Sequence, residues 1–137
     1  MSTATLAVTT EPVDLTRAAR DASLVICHAG HGTVCETLLA GTPLLLLPRQ
    51  AEQRWLCDRV VATGAARMLI ATKERTPDHA PAIRRLVDEP GFAMAARGFA
   101  ERHAGHDATA TAAAIAAACE AILGSSAAAS RAAVSPA

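Results

Sequence analysis

The feature that most constrains the fold is a run of four leucines, residues 44–47, enclosed by Pro43 and Pro48. A run this short that is apolar at every position is typical of a β-strand buried on both faces, because a strand with one wet face alternates apolar and polar residues. Such strands occur in parallel sheets that are covered by helices on both sides. We therefore expect an α/β fold.

Strand and helix patterns alternate along the rest of the chain. Short apolar or β-branched stretches predict strands at residues 3–9, 24–27, 44–47 and 66–70, and the stretches between and after them predict helices at residues 13–21, 33–40, 50–63, 76–88, 92–104 and 108–123. The alternation predicts a doubly wound α/β layer with a parallel sheet of about four strands flanked by helices. Residues 1–10 would be an N-terminal strand segment, residues 11–123 one domain, and residues 124–137 a disordered tail.

Glycine and proline residues support several of these boundaries. Gly41 and Gly64 follow predicted helices directly, where helix-ending glycines are common. Pro77 is expected in the first turn of the helix at residues 76–88, because proline is favoured there. Pro90-Gly91 is expected to break the chain before the next helix.

Composition excludes several classes of function. The 137 residues, 51% of them hydrophobic, suffice for one domain with a core, and 13 basic residues balance 13 acidic ones, so no charge excess attracts nucleic acid or an anionic membrane. Aromatic residues make up 2% of the chain, too few for a base-stacking platform. No apolar stretch approaches the roughly 20 residues that span a bilayer. We expect a cytoplasmic protein whose four cysteines, Cys27, Cys35, Cys57 and Cys119, are reduced thiols.

The connection after the strand at residues 24–27 carries most of the chemically informative residues. In parallel sheets, ligands bind beyond the carboxyl ends of the strands, where loops lead into helices. Gly30 and Gly32 allow a ligand close to the backbone, and the helix N-terminus that follows favours an anion such as phosphate. Thr33 and Glu36 also match the capping box, in which side chains satisfy the first helical N–H groups. Spacing alone supports phosphate binding and capping equally.

Two further hypotheses compete for the same loop. His28 and His31 have two cysteines close by, and a second His-Ala-Gly-His occurs at residues 103–106, but neither arrangement has a recognised zinc spacing. We therefore expect no metal site. The Gly-x-Gly is also two-thirds of a dinucleotide fingerprint, with Glu52 at about the distance of a ribose-binding carboxylate. Its third glycine is missing, which argues against a nicotinamide cofactor.

Several spaced elements together resemble the C-terminal, donor-binding half of nucleotide-sugar glycosyltransferases of the GT-B fold. Within that fold they are most similar to the UDP-glycosyltransferases, which are like glycosyltransferase family 1. The family pattern is an H-x-G-x-x-[ST]-x-x-E segment, a G-x-P, an apolar strand ending in proline, and an acidic residue followed by glutamine. In this chain the elements are His28-Ala-Gly30-His-Gly-Thr33-Val-Cys-Glu36, Gly41-Thr-Pro43, LLLLP and Glu52-Gln53. The resemblance extends over residues 11–123 and implies a partial Rossmann-like sheet, that of the GT-B C-terminal domain.

The resemblance implies roles for the residues of the first segment. His28 and Thr33 would hydrogen-bond the donor diphosphate, together with backbone N–H groups at Gly30, His31 and Gly32. An imidazole and a helix N-terminus can stabilise a leaving diphosphate without a divalent metal. We therefore expect a nucleotide-sugar substrate, UDP- or dTDP-linked, and no cofactor.

Other matched residues would bind the sugar-bearing parts of the donor. By the resemblance, Glu36 would accept hydrogen bonds from the ribose, and Glu52 and Gln53 would bind hydroxyls of the transferred sugar. Many family members have aspartate where Glu52 stands, which leaves the identity of the sugar open. Without the resemblance, Gln50, Glu52 and Gln53 could instead be polar residues that open a helix. Trp55 is expected to be a core anchor.

The family's acceptor site and catalytic base lie in an N-terminal domain that we do not expect within these 137 residues. No catalytic residue is therefore assigned, and transfer of a hexose-type sugar to an acceptor would require an N-terminal half or a partner subunit. The alternative is a non-catalytic nucleotide-sugar binding or interaction module. Because the family's first two strands are missing, the strand at residues 24–27 would have an open edge, and we expect the isolated chain to be marginally stable or to self-associate.

Overall fold

The computed structural model describes residues 7–72 and 77–133, with the backbone alone from residue 124. Within these ranges the elements are α1 (Leu15–Asp21), β1 (Val25–Cys27), α2 (His31–Leu39), β2 (Leu44–Leu46), α3 (Ala51–Ala62), β3 (Ala66–Met68), α4 (Ala80–Asp88), α5 (Pro90–Arg102) and α6 (Ala108–Ala133). The chain divides between Ala104 and Gly105 into two compact units. The first unit holds the sheet with α1 to α5, and the second holds α6.

The three described strands form a parallel sheet in the order β1-β2-β3. Val25 of β1 pairs with Leu44 of β2, which in turn pairs with Ala66 of β3. Because every connection between neighbouring strands passes through a helix, the strands all point the same way. The predicted α/β class with a parallel sheet flanked by helices is confirmed.

The sheet has three strands in the described residues, where the sequence predicts about four. The additional predicted strand, residues 3–9, lies mostly outside the described residues, and residues 7–9 are not in a strand. Val8 is 84% exposed, so this part of the segment buries no apolar side chain that would hold it against the sheet.

Strand β2 lies at the centre of the sheet and of the core. Its three residues are each 0% exposed, as the leucine run predicts. Because side chains alternate across a strand, Leu44 and Leu46 pack on one face of the sheet and Leu45 on the other. The first face is covered by α2, α3 and α5 through Val34, Leu38, Cys57, Val60 and Ala96, and the second is covered by α4 through Ala82 and Leu86. Burial of each leucine contributes about 1.5–3 kcal/mol relative to its exposure.

The turn between α2 and β2 is held by a glycine and a buried threonine. Gly41 has a φ of +77°, a conformation that favours glycine, and a Cβ at this position would lie 3.5 Å from the Cα of Arg97 in α5. Thr42 is 4% exposed, and its hydroxyl donates to the carbonyl of Ala19 in α1 at 2.6 Å. The predicted helix-ending role of Gly41 is confirmed, and the turn ties the start of β2 to both α1 and α5.

Two helix starts differ from the predicted ones at prolines. Helix α4 begins at Ala80 with Pro81 in its first turn, so Pro77 precedes the helix; the predicted start, residue 76, lies outside the described residues. Asp78 marks the observed start, since its Oδ1 accepts a hydrogen bond from the Ala80 N–H at 3.0 Å. Helix α5 begins at Pro90, so Pro90-Gly91 opens a helix instead of breaking the chain. Proline is favoured in a first turn because no intrahelical acceptor is available for an N–H there.

Helix α6 forms the second unit and runs past the predicted end at residue 123 to Ala133. The predicted disordered tail, residues 124–137, is thus helical through Ala133, because alanine has the highest intrinsic helix propensity; residues 134–137 lie outside the described residues. The apolar side chains Ile115 and Ile122 are 60% and 67% exposed. None of the described helices is long and apolar enough to cross a membrane.

Burial changes the acidity of three of the four free cysteines. Cys57 is 0% exposed, and desolvation, reinforced by the neighbouring Cys27 and Asp58, raises the pKa of its thiol from 9.0 to about 11. Burial likewise raises the pKa of Cys27 and of Cys35. A thiol whose pKa is raised by folding stabilises the folded state fully below its unfolded pKa, and this stabilisation is lost as the pH rises through the folded pKa.

We expect the free energy of unfolding to fall by on the order of 2 kcal/mol between pH 9 and pH 11, because the unfolded chain releases the Cys57 proton first. Urea unfolding followed by circular dichroism at steps of pH measures the fall. Cys57→Ala is expected to be less stable at every pH, because it leaves a cavity, and to show a shallower decline over this range. An equally steep decline in the variant would mean that other groups account for it.

Candidate functional site

The loop after β1 leads into α2 two residues earlier than predicted. Gly30 is the N-cap of α2, with φ −65° and ψ 134°, and its carbonyl accepts the first helical hydrogen bond from the Val34 N–H at 3.0 Å. The helix therefore begins at His31, and the predicted start at Thr33 is wrong, because the extended Gly30 already supplies the first acceptor. Ala29 has a φ of 61° and is 1% exposed, so a buried methyl group occupies the left-handed position of the loop.

The N-terminus of α2 has free backbone donors. Gly30 offers no side-chain cap, and the N–H groups of His31, Gly32 and Thr33 come before the first intrahelical bond. A Cβ added at Gly30 or at Gly32 would have no described atom within 4 Å, so a ligand can approach the backbone there. Free N–H groups at the positive end of a helix dipole are suited to bind an anion.

The capping box that Thr33 and Glu36 match in sequence does not form. Thr33 is the third residue of α2, its carbonyl accepts from the Thr37 hydroxyl at 2.7 Å, and its own hydroxyl has no hydrogen-bond partner among the described residues. Glu36 turns instead to α1, where its Oε2 accepts from the Thr16 hydroxyl at 2.7 Å. The capping interpretation is therefore wrong, and the Thr33 hydroxyl is available to a ligand.

His28 links the carboxyl ends of β1 and β2. Its Nδ1 lies 2.9 Å from the carbonyl oxygen of Leu47, and because a carbonyl can only accept, Nδ1 carries the proton. The hydrogen bond orients the exposed ring and leaves Nε2 for a ligand. In the neutral ring Nε2 accepts a hydrogen bond, from a hydroxyl for example. It donates to a phosphate oxygen only when the ring is an imidazolium.

His31 lies beside Cys35, one turn further along α2. Its Nδ1 is 3.6 Å from the Cys35 Sγ, and its ring is exposed. The part of the chain that the structure describes contains no group of three or more His, Cys, Asp or Glu residues that could hold a metal ion. The two histidines and two cysteines of the metal hypothesis are not brought into such a group.

The start of α3 contains the other predicted donor-binding residues. The Oε1 of Gln53 accepts hydrogen bonds from the backbone N–H groups of Arg49 and Gln50, at 2.7 and 3.2 Å. Gln53 therefore caps the helix, as its helix-opening interpretation predicts, and its side-chain NH2 is left as a donor. Glu52 is exposed in the first turn. Trp55, the predicted core anchor, is 75% exposed, because the apolar stripe of α3 lies on the other side of the helix.

A cavity of about 290 Å³ lies at the same carboxyl edge of the sheet. The described residues of its walls come from three strand-to-helix connections and are His28, Leu47, Pro48, Arg49, Leu69, Ala71, Pro77 and His79. Arg49 and His79 are functional candidates that the motif analysis missed, since neither belongs to the family pattern. Only their positions after strand ends could have indicated them.

A larger cavity, of about 500 Å³, lies at the opposite edge of the sheet, where Arg20, Gly41 and Arg97 contribute to its walls. Helices α1 and α2 end at this edge, and the free carbonyl groups of helix C-termini carry partial negative charge. Arg20 lies in the last turn of α1, where a positive side chain interacts favourably with that charge. The free helix N–H groups therefore favour an anion at the carboxyl edge, although the cavity there is smaller.

The sequence matches the glycosyltransferase family 28 C-terminal domain over residues 7–109. The chain belongs to this family. The family found is family 28, whereas the motifs suggest a family 1-like protein, so the resemblance is correct at the level of the C-terminal domain of GT-B glycosyltransferases. Parallel strands alternating with helices, and an open helix N-terminus after β1, are consistent with that assignment.

Relatives include a UDP-N-acetylglucosamine--N-acetylmuramyl-(pentapeptide) pyrophosphoryl-undecaprenol N-acetylglucosamine transferase of Actinobacillus pleuropneumoniae, 38% identical over 66 residues, which are 47% of this chain and 19% of the relative. The glycotransferase of kitacinnamycin superposes with a TM-score of 0.63 at 27% identity, over 75% of this chain and 27% of that one. A spinosyn rhamnosyltransferase complexed with thymidine diphosphate superposes with a TM-score of 0.58 at 30% identity, over 65% of this chain and 25% of that one. The chain thus spans about a fifth of the curated relative's length and about a quarter of each solved structure.

Thr16→Val is expected to lower the free energy of unfolding by about 1 kcal/mol, because it removes a hydrogen bond to a half-buried carboxylate. Urea unfolding of Thr16→Val, Glu36→Gln and the double variant isolates the contribution of the pair. Thr33→Val is the matched control and should be nearly neutral, since its hydroxyl has no described partner. Strict additivity of the two single effects would mean that the hydrogen bond contributes nothing.

Gln53→Ala is expected to cost about 1 kcal/mol of stability, because two backbone N–H groups lose their acceptor. Glu52→Ala, one residue away on the exposed face, should change stability by less than about 0.5 kcal/mol. Thermal or urea unfolding of both variants makes the comparison. Equal losses would contradict a capping role that is specific to Gln53.

Proposed function

We propose that this chain is the donor-binding part of a nucleotide-sugar glycosyltransferase and that it binds the donor diphosphate at the N-terminus of α2. The observation that carries the proposal is the uncapped helix start beside His28, whose ring is oriented by the Leu47 carbonyl at 2.9 Å. We call this arrangement the diphosphate cradle; it consists of His28, the Thr33 hydroxyl and the N–H groups of residues 30–32. Membership of family 28 supports the same function.

The remaining matched residues would contact the two sugars of the donor. Glu36 has one carboxylate oxygen bonded to Thr16, and its other oxygen would accept from a ribose hydroxyl. Gln53 uses its amide oxygen for the helix cap, so it would bind the transferred sugar by donating from its NH2 group. Glu52 would accept from a sugar hydroxyl.

The cradle would act on the leaving group. In sugar transfer, the bond from the anomeric carbon to the diphosphate oxygen breaks, its electron pair stays on the diphosphate, and the acceptor oxygen forms the new bond as it loses its proton. Helix N–H groups and a protonated His28 would stabilise the negative charge that develops on the diphosphate. We propose that a divalent metal is not needed for this stabilisation.

The acceptor-binding site and the catalytic base would be supplied by a further domain or by a partner subunit. This part of the proposal is supported by length, since the chain covers 19% of a curated relative and 27% of a solved one. The nucleotide would be UDP or dTDP; thymidine diphosphate is bound to one solved relative.

His28→Ala and Thr33→Ala are each expected to weaken UDP or dTDP binding by about 1.5–3 kcal/mol, because a charge-assisted hydrogen bond to phosphate is lost. Isothermal titration calorimetry on the full chain measures both affinities, with and without EDTA. His106→Ala is the matched control, since His106 lies in the second copy of His-Ala-Gly-His, in the other unit, and is exposed. Unchanged affinity in both cradle variants would remove the proposed diphosphate role, and loss of binding in EDTA would contradict metal independence.

A further inference from the structure

The cavity at the carboxyl edge carries two basic side chains that the diphosphate cradle does not use. Arg49 follows β2, and His79 precedes α4, yet both line the same 290 Å³ cavity as His28. The cavity thus begins where the cradle ends, with His28 common to both. A substrate group that extends past the diphosphate would meet these side chains next.

Neither basic side chain is engaged within the described residues. Arg49 is exposed, and only its backbone N–H has a hydrogen bond, to Gln53. His79 is the N-cap residue that precedes α4, but its side chain makes no capping hydrogen bond. The capping is done by Asp78, whose Oδ1 accepts from the Ala80 N–H at 3.0 Å. Asp78 thus has one carboxylate oxygen in a hydrogen bond, and the described cavity walls include no Asp or Glu.

The size and walls of the cavity suit a single sugar-sized group. Its volume of about 290 Å³ is about the volume that ten water molecules occupy in liquid water. Leu47, Pro48 and Leu69 supply apolar walls, while Arg49 and His79 supply donors that have no acceptor among the described residues. In a cavity with apolar walls, a charge-assisted hydrogen bond to an anion is stronger than it would be in open water.

We propose that this cavity binds a carboxylate or phosphate group carried by the substrate beyond the donor diphosphate, with Arg49 and His79 as its specificity-determining residues. The proposal rests on the proposed function, since the cradle places the substrate next to the cavity. Two sources would present the same chemistry: an acidic sugar on the donor, such as a uronic acid, or an anionic group on the acceptor.

The first experiment compares UDP-glucuronic acid with UDP-glucose by titration calorimetry on the full chain. If the donor sugar carries the anion, the chain binds UDP-glucuronic acid about tenfold more tightly, Arg49→Gln and His79→Gln each bring the ratio close to one, and the affinity for UDP itself does not change. Arg84→Gln is the matched control, because Arg84 is exposed on α4 and does not line the cavity. Circular dichroism verifies that each variant is folded. Arg49→Glu, a charge reversal at an exposed position, should make the chain bind UDP-glucose more tightly than UDP-glucuronic acid.

The second experiment titrates inorganic phosphate into the chain saturated with UDP, so that the cradle is filled. Phosphate binding that is lost in Arg49→Gln and His79→Gln would support an anionic group on the acceptor. A ratio near one together with no phosphate binding overturns the proposal, and so does a preference that survives both substitutions. If UDP itself does not bind, the proposed function fails. Phosphate titrated into the free chain then tests the cavity alone. Phosphate binding that is lost in Arg49→Gln would support the proposal, and binding that is unchanged in this variant would overturn it.

Discussion

The burial of β2 on both of its faces determines where the other candidate residues lie. Leu44 and Leu46 require apolar helices on one side of the sheet, and Leu45 requires them on the other. In this chain the connections between the strands pass through helices that supply this cover, and the strands run parallel. Each crossover begins at the carboxyl edge, so the three strand-to-helix connections meet there and bring His28, Arg49 and His79 to one cavity.

The same constraint gives the two edges of the sheet opposite electrostatic character. Helix starts lie at the carboxyl edge, where the N–H groups of His31, Gly32 and Thr33 have no intrahelical acceptor. Helix ends lie at the amino edge, beside Arg20 and Arg97. The proposed binding of an anion at the carboxyl edge would therefore depend first on backbone direction, and the side chains of the cradle would add to the field of the helix.

The sequence predicted correctly those structural features that depend on residue types along the chain. The predictions failed for features that depend on contacts between residues far apart in the sequence. The central strand, the parallel sheet and the helix end at Gly41 followed from local pattern. The start of α2 was predicted wrongly. A capping box at Thr33 requires the Glu36 carboxylate to accept a hydrogen bond from the backbone at Thr33, but this carboxylate accepts from the Thr16 hydroxyl of α1 instead. Likewise, no pattern in the chain links Arg49 with His79, since they are joined only by the fold.

Ala29 restricts the loop that leads into the proposed anion site. It adopts a left-handed backbone conformation at a position where glycine is commoner, and its methyl group is 1% exposed among core residues that include Val34. An alanine has fewer accessible conformations than a glycine in the unfolded chain, and its buried methyl group restricts the folded loop further. The loop is therefore preorganised: binding should require little ordering of the backbone, and more of the interaction energy is retained as affinity.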